Sequence, residues 1–262
     1  MDENNTQETA ADGLPPMQML KLQKSGMSAL GVSFRLREGD ILAAIDGEPF
    51  LGDEETLKAA FEDYDPNEPD IAWLLTFWRD GVFFNLCFET PFRARFDFAT
   101  PEEALEVAQE FKKLHFDRIE TYQNYEVFRD IRLNAALHET RPDGLATIAP
   151  LLWMLNHRLY YPMIAVSIVY AITALTHIAL FVLAYILTSL YVKRAQINLL
   201  RSYHLFEDKL YWLTVAATSE SEARKVCRQI SPDVRFAFEQ EQKEVRPNRL
   251  ERKRLREQQT QA

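Results

Sequence analysis

The sequence predicts an α+β protein. A small β-rich domain is joined to an integral-membrane α-helical hairpin and to short cytoplasmic strand–helix elements. Three observations carry that prediction. Residues 160–192 run for 33 positions without Asp, Glu, Lys or Arg in a chain that is otherwise rich in charge. Residues 73–88 alternate large apolar side chains on either side of an Arg-Asp-Gly turn. Charge is also divided along the 262 residues: 1–147 hold 29 acidic against 14 basic side chains, net −15, while 148–262 hold 10 against 16, net +6.

Residues 1–16 are polar and acidic, which predicts a disordered head without the basic-then-apolar order of an export signal. Loose alternation over 17–22 predicts an edge strand. A Gly39-Asp40 turn leads into the apolar strand 41–45, which reverses at Asp46-Gly47, a pair that accepts the positive φ of a hairpin turn. Leu57, Ala60, Phe61 and Tyr64 follow helical spacing, and Pro66 and Pro69 forbid its continuation. Ile71, Trp73, Leu75 and Phe77 share one face of the next strand; Val82, Phe84, Leu86 and Phe88 alternate on its return. Leu74, Trp78 and Phe83 make the second face apolar as well, so this hairpin is expected to be packed on both sides.

The segments LREGDILAAIDGEPF (36–50), ETLKAAF (55–61) and LLTFWRDGVFFNLCFE (74–89), taken in order, resemble a PDZ domain of the kind attached to bacterial proteases and secretion proteins. The resemblance implies a PDZ-like domain over 17–92 that adds an extended peptide end as a strand. It makes Leu30, Gly31, Val32, Ser33 and Phe34 the expected carboxylate-binding loop. Only about five residues separate Val32 from the turn at 37–40, fewer than that family uses there, so a shortened groove or a purely structural role is the competing expectation.

Residues 93–144 read as a strand–helix connecting segment. Thr100, Pro101 and Glu103 have the chemistry of a capping box, followed by the apolar stripe Ala104, Val107, Ala108, Phe111 and Leu114. A similar unit recurs at 193–234, where a strand at 210–217 precedes a second capping box at 219–222 and the stripe Ala223, Val226, Cys227 and Ile230. The two cysteines, Cys87 and Cys227, are expected as buried packing residues.

A bilayer core of about 30 Å needs roughly 20 helical residues. One straight helix over 160–192 would measure about 50 Å, and two spans about 24 Å each. A transmembrane hairpin over 159–192 fits better than one tilted helix, because basic residues flank both ends of the run: Arg158 before it, Lys193 and Arg194 after it. Residues 145–158 read as an interfacial helix, with Trp153, Tyr160 and Tyr161 as headgroup-level rings. The segments PLLWMLNHRLYYP (150–162), LTSLYVKRAQINLLRSY (187–203) and YWLTVAATSESEARKVC (211–227) resemble, in that order, the small bacterial membrane proteins of domain of unknown function 2628. That resemblance implies a membrane location and no established activity.

Neither a His-Glu-x-x-His zinc site nor a Gly-x-Ser-x-Gly elbow, phosphate loop or dinucleotide fingerprint occurs, and the five histidines show no metal-ligand spacing. The expectation is therefore no enzyme, no metal and no cofactor. Acidity of the amino-terminal part argues against nucleic acid, whereas the charged tail at 235–262 suits solvent or anionic headgroups. The expected function is a bacterial inner-membrane adaptor, multi-pass with both termini cytoplasmic, partnered by a protein or peptide and by membrane lipid. An accessory subunit of a membrane protease or transporter is the alternative.

Overall fold

The computed structural model describes residues 18–24, 27–62, 64 and 72–236. The expected head at 1–16, Pro66, Pro69, Ile71 and all but the first two residues of the expected tail at 235–262 lie outside them. In chain order the elements are β1 (Leu20–Leu22), α1 (Ala29–Ser33), β2 (Ile41–Ile45), β3 (Glu48–Pro49), α2 (Glu54–Ala59), β4 (Trp73–Arg79), β5 (Val82–Phe88), β6 (Phe96–Phe98), α3 (Pro101–Phe111), β7 (Gln123–Arg129), β8 (Asn134–Glu139), α4 (Leu145–Ile148), α5 (Pro150–Asn156), α6 (Tyr160–Thr176), α7 (Ile178–Phe206), β9 (Leu210–Ala217), α8 (Glu220–Ile230) and β10 (Arg235–Phe236).

All ten strands among the described residues belong to one sheet. Nine run in the order β10-β8-β7-β9-β5-β4-β2-β1-β6, and β3 pairs with β2 beside that path. The sheet therefore crosses the boundaries expected at residues 92, 144 and 193. β1 is not an edge strand, because it pairs with both β2 and β6; the later Phe96–Phe98 segment takes the edge.

Local chemistry explains the tightest part of the sheet. Asp46 and Gly47 have φ of 52° and 79°, and Asp80 and Gly81 have 48° and 85°. Both pairs thus make the mirror-image turns that match strand twist. β4 and β5 pair in unbroken register from Trp73↔Phe88 to Arg79↔Val82. One face buries Trp73, Leu75, Phe77 and Phe88 with Leu57 and Phe61 beside α2 and with Ala223 and Cys227 of α8. The opposite face packs Trp78 and Phe83 against Ile41, Ala104 and Val107. The Gly39-Asp40 and Arg79-Asp80-Gly81 turns are also tied together: Arg79 Nε donates to Asp40 Oδ1 at 2.7 Å, with Asp40 1% and Arg79 7% exposed.

Capping follows the sequence at α3, where Glu103 N donates to Thr100 Oγ1 and Thr100 N to Glu103 Oε2. At α8 only half of the expected box forms. Ser219 Oγ accepts from Glu222 N, but the Glu222 carboxylate reaches one residue further back, to Thr218 N and Oγ1.

The helical unit α4–α7 is inserted between β8 and β9, both of which pair with β7. Helix α7 is long and apolar enough to cross a bilayer by length and composition; α6, at 17 residues, is a shorter apolar helix. The break between them is one extended residue, His177, whose Nδ1 accepts from Ala179 N at 3.1 Å and so caps α7. Large aliphatic side chains stay exposed along both helices, among them Ile168, Ile172, Leu183 and Leu187.

Candidate functional site

Of the five residues expected to form a carboxylate-binding loop, Leu30, Gly31, Val32 and Ser33 lie in helix α1 and Phe34 caps its end. Ser28 caps α1, and the backbone amides of Gly31, Val32 and Phe34 all donate inside it, to Ser28 Oγ, Ser28 O and Leu30 O. Those amides are turned to helix closure, so the segment presents no row of donors to a carboxylate. Gly31 is buried against Met27 and Phe92, where an added Cβ would fall 2.7 Å from Met27 Cγ. Ser33 Oγ donates to Leu30 O, and Phe34 packs edge-on against Phe88 at 5.0 Å.

Val32 alone of the five lines a groove of about 850 Å³ between α1, the β7–β8 turn and the start of β9. Its charged lining is Arg35, Arg37 and Arg129 with Asp130 and Asp208. Arg129 lies over the Trp212 ring at 4.3 Å and Arg35 over Tyr211 at 5.4 Å. Burial and the neighbouring Arg37 lower the Arg129 guanidinium below its ordinary value. Among the described residues none of these three arginines forms an ion pair with a carboxylate. Asp130, on the rim, is engaged in the β7–β8 turn, accepting from the amides of Arg132 and Asn134. Two of these cations lie over aromatic rings, and none of the three is ion-paired to the groove's own carboxylates, Asp130 and Asp208, an arrangement that suits an anion. Exposed Val32, Ile131 and Leu210 supply apolar contact around them.

A second cluster joins the sheet to the helical unit. Arg201 of α7 grips Glu126 of β7 with two donors, Nε at 2.9 Å from Oε2 and a terminal nitrogen on Oε1. The cross-strand neighbour His138 brings Nε2 to 3.3 Å from the same carboxylate. His138 and His204 stack at 5.5 Å, and His204 stacks on Phe128 at 4.9 Å. Burial alone would raise the Glu126 carboxyl, but Arg201 and His138 outweigh it and hold it down at about 2. The ionised carboxylate thus latches helix α7 to the sheet. Among the described residues no group of three or more His, Cys, Asp or Glu is arranged to hold a metal ion.

The expected lipid-interface residues divide. Tyr160, Tyr161, Arg158, Lys193 and Arg194 are exposed near the base of the hairpin. Trp153 is not at the surface; at 1% exposure it fills the core between Ala146, Met154, Leu159, Val192 and Leu200. The α4–α5 segment folds back on the hairpin, so its largest side chain turns inward rather than to headgroups.

Sequence reasoning missed the arginine groove and the Glu126 latch, since both assemble residues far apart in the chain. One signal was present: Glu126 is a charge inside the apolar strand Tyr125-Glu126-Val127-Phe128. Comparison of the chain with family models, with curated proteins and with solved structures finds no match.

Proposed function

We propose that this chain is a non-enzymatic adaptor anchored in a bacterial inner membrane by the two spans α6 and α7, presenting its PDZ-like sheet domain at the cytoplasmic face. What supports the anchor is the point of insertion: the chain leaves the sheet at β8, returns at β9, and both strands pair with β7. An odd number of crossings would put β9 on the far side of the bilayer from its partner. Basic Arg158, Lys193 and Arg194 at the hairpin base favour the cytoplasmic side.

The observation that carries the adaptor role is the arginine groove. In an otherwise acidic part of the chain, Arg35, Arg37 and Arg129 converge beside exposed apolar residues, and among the described residues none of them is ion-paired, although Asp130 and Asp208 line the same groove. The occupant that matches is an acidic peptide segment of a partner protein, in place of the peptide end expected at Leu30–Phe34.

Full-length protein in detergent, titrated with a fluorescent Glu-rich peptide, is expected to bind it saturably and more weakly as salt rises. The doublet Arg37→Glu, Arg129→Glu should weaken binding about tenfold or more, each lost charge pair removing on the order of 1 kcal/mol. Equal binding by the doublet and the native protein would sink this reading.

A further inference from the structure

We infer that α4 and α5 form a re-entrant elbow embedded in the leaflet next to the sheet domain, with the acyl chains as their covering partner. The inference rests on the membrane reading of α6–α7 and adds a third element to it.

Geometry places the elbow alongside the hairpin rather than at its foot. Its entry is fixed at Asp143, whose amide donates to Gln196 Oε1 at 2.9 Å, beyond the end of the uncharged run. Five residues later Ile148 lies beside Tyr185, well inside that run, where the Tyr185 hydroxyl donates to Ile148 O. The chain turns at Ala149 and Pro150 and descends through α5 to Leu159, which packs with Trp153, Val192 and Leu200.

Two properties fit lipid and not water. Residues 144–157 contain no Asp, Glu, Lys or Arg, and apart from Asn156 at the end of α5 the exposed side chains are large aliphatics: Leu145 37%, Ile148 73%, Leu152 59% and Leu155 48% exposed. Leu183, Ile186 and Leu187 of α7, the sequence neighbours of Tyr185, are exposed as well. The turn is also closed internally. Ala149 N donates to Leu145 O, Pro150 has no amide to satisfy, and the Ile148 carbonyl, which the end of α4 would leave open, takes the Tyr185 hydroxyl. A turn in water needs no such closure, whereas in hydrocarbon each open backbone group is costly.

The test is spin-label collision accessibility in phospholipid vesicles, using full-length protein with the buried Cys87 and Cys227 replaced by Ala. Single labels go at Ile148→Cys, Leu152→Cys, Leu183→Cys in α7 and Ile131→Cys on the sheet domain, all at exposed positions. Oxygen collisions are expected to exceed nickel-chelate collisions at 148, 152 and 183, with the reverse at 131. Nickel dominance at 148 and 152 with oxygen dominance at 183 overturns the elbow and leaves the hairpin standing. Shielding of 148 and 152 from both reagents also overturns it, assigning that face to a second protein surface. Nickel dominance at 183 overturns the hairpin itself, and the elbow with it.

Discussion

Glu126 shows how a single side chain can be assigned only from its surroundings. On β7 it faces the helical unit while Tyr125 and Val127 face the sheet core. The Arg201 fork and the His138 ring keep it ionised down to about 2 against an ordinary 4.5. A carboxyl depressed in the folded state stabilises it above the unfolded value, and that contribution disappears as pH falls through the folded one. With Glu126 5% exposed, the shift corresponds to an order-of-magnitude 3 kcal/mol at neutral pH. Glu126→Gln should therefore be less stable than the native chain at pH 7, with the gap narrowing below 4.5 and closing near 2. Chemical denaturation across that range reads it; a gap that does not change with pH would mean the loss is one of packing. Sequence spacing gave no hint of the cluster, because His138 and His204 meet through a helix and a strand on separate arms of the chain.

Among the elements, those governed by neighbours in sequence were legible and those closed by distant side chains were not. The β4–β5 hairpin and the α3 cap follow from alternation and from Thr100 and Glu103. The apex of the helical hairpin carries no Gly or Pro, since an extended His177 that caps α7 through its ring nitrogen performs the reversal. The seam between the two parts of the sheet is equally hidden. β5 and β9 share one registered pair, Asn85↔Ala216. Beyond it the Asn124 side chain of β7 acts as a piece of backbone, accepting from Cys87 N at 2.9 Å and donating to Cys87 O at 2.8 Å. Asn124→Ala would leave both Cys87 groups open in a buried strand, at a cost of about 2 kcal/mol. Native-state hydrogen exchange should show the Cys87 amide opening faster while the Phe77 and Phe84 amides keep their protection. Unchanged Cys87 exchange would mean that the seam is held elsewhere.

At the scale of the whole molecule, the sequence predicts separate soluble pieces on either side of a membrane segment, and their union in one sheet could not be read from it. Periodicity marks β9 as a strand but says nothing of its neighbour, and its partner β7 lies on the other side of four helices. That pairing is what constrains topology. β7 and β9 are in register from Gln123↔Ala217 to Arg129↔Leu210, with one irregularity after Val127. The ladder places Val127, Leu213 and Val215 in the main core, so it cannot be dissolved without losing the fold. A bilayer between β7 and β9 would break it, which leaves an even number of crossings between residues 129 and 210. Fusions of alkaline phosphatase, active only outside the cytoplasm, should be silent at both termini and active when inserted beside His177 at the apex. Phosphatase activity at the carboxy-terminal fusion alone would require β9 to stand apart from β7, and neither the single sheet nor the two-span anchor would survive that result.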